Sequence, residues 1–79
     1  MSDLKMLTTE EVAELTGSRR ENVSMWREIG IIQAIKTGKG FMYPQEEIKR
    51  FQRDYKGFDI SNRVKAIEAY NQLNVAIRL

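Results

Sequence analysis

Arg20, Ser24 and Arg27 recur at i, i+4 and i+7. On a helix turning about 100° per residue that spacing gathers all three on one flank. A guanidinium is a planar fork of donors. It matches the O6/N7 edge of guanine and, equally, the paired oxygens of a phosphate. A serine hydroxyl donates to either target. Arg19 adds a cation in the first turn of the same helix, where free backbone N–H groups also favour an anion. The chemistry on offer is recognition of phosphates and base edges. A solvated helix face, neutralised by Glu21 and Glu28, is the competing reading of the same residues.

Little else in the chain can do chemistry. Its 79 residues contain no histidine and no cysteine. The commonest general base, the commonest neutral metal ligand and any thiolate site are therefore missing. No catalytic residue, metal site or cofactor is expected. A chain of this length forms one domain with a thin core. No apolar run approaches the roughly 18–20 residues of a membrane span, and the N-terminus lacks a signal-peptide core. A cytoplasmic protein, in a bacterium or a phage-infected host, is the expectation.

Thirteen basic residues against eleven acids give a net charge of only +2. The distribution is more telling. Residues 1–17 sum to −3, with one lysine against four acids. Residues 18–43 sum to +3, with five basic residues against two acids. Positive charge thus collects where phosphate contacts would be useful. An ordinary mixed-sign surface also accounts for it.

The elements that position these residues can be read along the chain. Residues 1–6 form a lead-in. Thr8 and Glu11 make the S/T-x-x-E pattern of a capping box, so a first helix starts near Thr9 and buries Val12 and Leu15. Gly17 stops it in the left-handed conformation. Ser18 and Glu21 repeat the capping pattern and predict a second helix at once, ending at Gly30. Val23 and Trp26 form its inner face. Ile31 to Lys36 reads as a strand, Thr37-Gly38-Lys39-Gly40 as a turn using both glycines, and Phe41-Met42-Tyr43 as the returning strand. Pro44 opens a third helix that buries Ile48, Phe51 and Tyr55 and ends at Gly57. Asp59 or Ser61 caps a fourth.

Two helices at a sharp corner, followed by a glycine-hinged ribbon, predict a mostly α fold with a small β-hairpin. The layout is that of a winged helix-turn-helix over residues 7–60, with a C-terminal helix over 61–79. Lys36 and Lys39 would anchor the wing on phosphates; a hairpin tip made soluble by lysines has the same spacing. The aromatic residues read as core, except that the Tyr43 hydroxyl can reach a phosphate at the base of the wing.

In the last helix, Ile60, Val64 and Ile67 fall on one line and Ala66, Tyr70, Leu73 and Ile77 on another. Leu73, Val75, Ile77 and Leu79 then form an apolar end that binds a second copy or another protein on DNA. Folding back onto the first helix to complete the core is the alternative.

Leu7 to Asn62 resembles the DNA-binding domains of the MerR and excisionase-like superfamily. The likeness rests on Leu-Thr-Thr-Glu-Glu-Val-Ala-Glu-Leu-Thr-Gly, on Val23, Trp26 and Arg27-Glu28-Ile29-Gly30-Ile31-Ile32, and on Gly38-Lys39-Gly40-Phe41-Met42-Tyr43 running into a helix through Ile48 and Phe51. The resemblance implies a second helix in the major groove and a wing on neighbouring phosphates or the minor groove. It also implies an excisionase-like recombination directionality factor, acting beside an integrase, or a phage-type transcriptional regulator. Ser24 and Met25 stand where the family often has basic or tyrosine residues, and Phe41 where MerR regulators usually have arginine. No small-molecule effector is expected. A protein-interaction module on the same fold, or DNA marking like that of a small terminase subunit, are the alternatives.

Overall fold

The computed structural model describes residues 5–78, with side chains described as far as Val75. Its elements are β1 (Leu7–Thr8), α1 (Thr9–Thr16), α2 (Arg20–Ile29), β2 (Ile35–Thr37), β3 (Gly40–Tyr43), α3 (Gln45–Asp54) and α4 (Arg63–Arg78). The fold is mixed and mostly helical, with four helices and one three-stranded antiparallel sheet among the described residues.

The start of α1 follows from its sequence. Thr8 Oγ1 accepts the Glu11 N–H at 3.1 Å, and the Thr8 N–H donates to Glu11 Oε1 at 2.8 Å. Two otherwise unpaired donors are satisfied reciprocally. The helix buries Val12 and Ala13, whereas the expected Leu15 is exposed because the adjacent pair at 12 and 13 faces the core. It ends at Gly17, with φ 69°. There the Gly17 N–H donates to Glu14 O at 3.2 Å and the Ser18 N–H to Ala13 O at 2.8 Å, the paired bonds of a Schellman closure. That closure corrects the expected second capping box. The Ser18 N–H is committed to α1, so Arg19, in an extended conformation, becomes the N-cap of α2 without a side-chain cap.

Val23 and Trp26 are buried as their spacing requires, and Met25 joins them. Beyond Gly30, Ile31 and Ile32 are fully buried but are not strand. Their segment's backbone groups are satisfied elsewhere. The Ile31 N–H donates to Trp26 O, Ile31 O accepts from Arg50 at 2.8 Å, and the Gln33 N–H donates to Glu47 at 2.8 Å. Side chains of α3 thus replace a sheet partner, and strand order begins only at Ile35. Arg50 also donates to Glu47 and, at 3.1 Å, to Asp54, which stiffens this junction.

The sheet order is β1-β3-β2. The short β1, not foreseen from the sequence, pairs Leu7 with Tyr43 and Thr8 with Met42. On the other side Ile35 pairs with Met42, Lys36 with Phe41 and Thr37 with Gly40. Of the two turn glycines only Gly40 has a positive φ, 102°. Thr37 Oγ1 accepts the Lys39 N–H and donates to Gly40 O, both at 3.1 Å, which pins the tip.

Pro44 precedes α3, which buries Ile48 and Phe51; Tyr55 is its C-cap, and Gly57 turns the chain two residues later. Asn62, rather than Asp59 or Ser61, caps α4: its Oδ1 accepts the Lys65 N–H at 2.9 Å. The Asp59 carboxylate is taken instead by the Ser61 N–H and hydroxyl at 3.0 and 2.6 Å.

The core is built around Val12, Val23, Ile31, Ile32 and Tyr43, all fully buried. Each such aliphatic side chain contributes about 1.5–3 kcal/mol. Trp26, Phe51, Tyr55 and Phe58 form a chain of rings with centroids 5.3, 5.9 and 5.9 Å apart. The Trp26 indole donates to Ile60 O at 2.9 Å. Helix α4 adds Ala66 and Ala69 to this core, with Tyr70 and Leu73 packed at its edge. It lies against α2. No helix among the described residues is long and apolar enough to cross a membrane.

Candidate nucleic-acid interface

Arg20, Ser24 and Arg27 line one cleft between α2 and the hairpin. The hairpin contributes Lys39, Gly40 and Phe41, and the β1–α1 junction contributes Thr8, Thr9 and Glu10. The sharp corner after Gly17 and the pairing of β1 with β3 hold these three walls together.

The two arginines of α2 are held differently. Arg20 pairs with Glu10 at 3.2 Å, with side chains 64% and 61% exposed. Such a pair is water-screened and easily exchanged. Arg27 lies over the Phe41 ring, 3.8 Å from its centroid. Its Nε is buried and has no hydrogen-bond partner among the described residues. Lys36, opposite Phe41 in the sheet register, brings its Nζ to 5.6 Å from the same centroid. Two cations therefore sit within cation–π range of one ring.

Lys39 stands exposed at the hairpin tip. Arg19 is exposed at the N-cap of α2, outside the cleft. Among the described residues Arg19, Arg27, Lys36 and Lys39 make no ion pair, whereas Lys49, Arg50 and Arg53 are tied to carboxylates of α3. Lys56 and Lys65 also make no ion pair among the described residues but do not line the cleft.

Tyr43 is a correction. It is fully buried and its hydroxyl lies inside the protein, so it offers nothing to a surface phosphate. It sits on the central strand directly opposite Leu7 of β1, a strand the sequence pattern did not reveal. The ring on the accessible end of β3 is Phe41, half-buried at the cleft. Among the cleft residues that sequence reasoning missed, Phe41 and Glu10 touch its arginines directly, and Thr8, Thr9 and Met42 complete the lining. The opposition of Lys36 and Phe41 across the turn was the available signal for the first.

A second groove runs along the other side of Arg20 and Ser24, where Met25, Glu28 and Arg63 meet. Arg63, from the start of α4, pairs with Glu28 at 3.1 Å. Farther along α4, Leu73 is half-buried against the core, which corrects its expected place on a free apolar end. Val75 is 57% exposed and Val64 66%. The Ile77 side chain and Leu79 lie outside the described residues. Among the described residues no group of three or more His, Cys, Asp or Glu side chains could hold a metal ion.

Three carboxyls titrate below their ordinary range. Glu11 is lowered chiefly by the Thr8 N–H, and Asp59 by the Ser61 hydroxyl and N–H. Burial pushes Glu47 up, but the Arg50 hydrogen bonds and charge and the Gln33 N–H together pull it down further. None of the three lines the cleft. Comparison with family models, with curated proteins and with solved structures found no match.

Proposed function

We propose that the protein binds double-stranded DNA as a winged helix-turn-helix, with α2 in the major groove and the β2–β3 hairpin as a wing on flanking phosphates. The observation that carries this reading is the cleft where Arg20, Ser24 and Arg27 of α2 meet Lys39 and Phe41 of the hairpin. An α-helix with its side chains is about 10–12 Å across, and the major groove is about 12 Å wide. Arg27, Lys36 and Lys39, which make no ion pair among the described residues, supply cations that release counterions from phosphates. Arg19 adds a cation beside the N-terminus of α2, where backbone N–H groups favour an anion.

The role we propose is that of a small member of the MerR and excisionase-like superfamily. It would be an excisionase-like directionality factor or a phage-type transcriptional regulator, without catalysis, cofactor or small-molecule effector. The test is selection from a random duplex pool at about 50 and 200 mM salt. The proposal requires an enriched sequence and an affinity that falls steeply with salt. Recovery of no duplex at either salt concentration rejects it.

A protein-interaction module is the second reading, favoured by exposed Val64, Ile67 and Val75 on α4. It requires association that is indifferent to salt and lost when Val64 and Val75 become polar.

A further inference from the structure

We infer that Phe41 is a positioning residue that presents Arg27 end-on as the guanine reader of the cleft, leaving Arg20 to phosphate. The inference rests on the DNA-binding reading and assigns unequal roles to two arginines that sequence spacing makes equivalent.

The geometry separates them. Arg20 is an exposed side chain whose neighbour is a carboxylate, Glu10 at 3.2 Å. A pair of this kind rearranges freely and fixes no direction. The Arg27 guanidinium is instead stacked on a ring, 3.8 Å from the Phe41 centroid, with Nε buried and no hydrogen bond or ion pair among the described residues. Burial of Nε removes the side-on edge of the fork. The two terminal nitrogens are then the donors left for a ligand, and they match O6 and N7 of one guanine. A fork already held in place loses less conformational freedom on binding. Lys36, 5.6 Å from the same centroid, keeps a second cation beside the stack and adds to the positive potential that attracts a phosphate there.

Two measurements test this. The first needs no DNA: the Arg27 side-chain resonances should be shifted upfield by the Phe41 ring and return to ordinary arginine values in Phe41→Leu. Ordinary values in the wild-type protein overturn the stack. The second uses the best duplex recovered from a random pool, together with copies in which each guanine in turn is 7-deazaguanine, which lacks N7. Wild-type protein should lose roughly tenfold in affinity at one guanine. Arg27→Ala and Phe41→Leu should be insensitive to that replacement, Phe41→Tyr should regain the sensitivity, and Arg20→Ala should keep it. Equal sensitivity in wild type and Arg27→Ala overturns the assignment. So does full sensitivity in Phe41→Leu. Wild-type protein that binds no duplex rejects the DNA-binding reading itself, while the resonance shift still reports the stack.

Discussion

The guanidinium of Arg20 stands 3.2 Å from the carboxylate of Glu10, so the cleft that gathers the cations of α2 also holds an acid. Glu10 occupies the first turn of α1, where a carboxylate complements the helix dipole. In the proposed DNA complex the same charge would compete with phosphate for Arg20. Glu10→Gln should therefore raise duplex affinity by roughly two- to fivefold at low salt, the scale of an exposed ion pair. The gain should shrink as salt rises. Fluorescence anisotropy across a salt series reads both.

Lys39 stands at the hairpin tip with no ion pair among the described residues, and Thr37 holds the turn beneath it. Lys39→Ala should weaken binding to all duplexes alike and lower the slope of log affinity against log salt by about 1. A loss confined to one sequence would give Lys39 a base contact instead.

Gly30 ends α2 with φ 108°, and a Cβ there would stand 3.2 Å from the Tyr70 hydroxyl. The backbone term alone costs about 1–2 kcal/mol for a residue with a side chain. Gly30→Ala should lower the urea midpoint accordingly. Adding Tyr70→Phe should recover only a fraction of the steric part, because the ring carbons that remain lie nearly as close.

Stability should fall in acid through Glu47. Burial raises its carboxyl, yet Arg50 and the Gln33 N–H outweigh burial and leave it below the ordinary 4.5. A folded-state value below the unfolded one contributes stability that is complete above the unfolded value. That stability is lost as pH falls through the folded value. Denaturation curves should thus move to lower urea as pH drops below about 4.5. Glu47→Gln should flatten that dependence in part, with Glu11 and Asp59 retaining a residue of the same sign. At neutral pH the variant should be less stable by roughly 1–2 kcal/mol, since Arg50 loses its main partner.

What the sequence made legible was the local chemistry. Thr8 and Glu11 satisfy each other's backbone, and Gly17 and Gly30 take the left-handed caps, all within a few residues. The cleft was half legible, because helical spacing unites Arg20, Ser24 and Arg27 without reference to any other element. Long-range satisfaction was not legible. Ile31 and Ile32 have the composition of a strand, yet Arg50 and Glu47 of α3 claim the backbone around them. Phe41 and Tyr43 share one face of β3, yet Tyr43, opposite Leu7 of β1, is sealed in the core while Phe41 is half-buried at the cleft. Leu73 looked free until Tyr70 and its neighbours were packed on α2 and the core.

The central claim is that α2 and the hairpin together form a DNA surface. Titration of isotope-labelled protein with a mixed-sequence duplex tests it residue by residue. The account predicts amide and side-chain shifts concentrated at Arg19, Arg20, Ser24, Arg27 and Lys36 to Phe41, reversed by salt. Shifts confined to Val64, Ile67 and Val75 on α4, or none at saturating duplex, would contradict it.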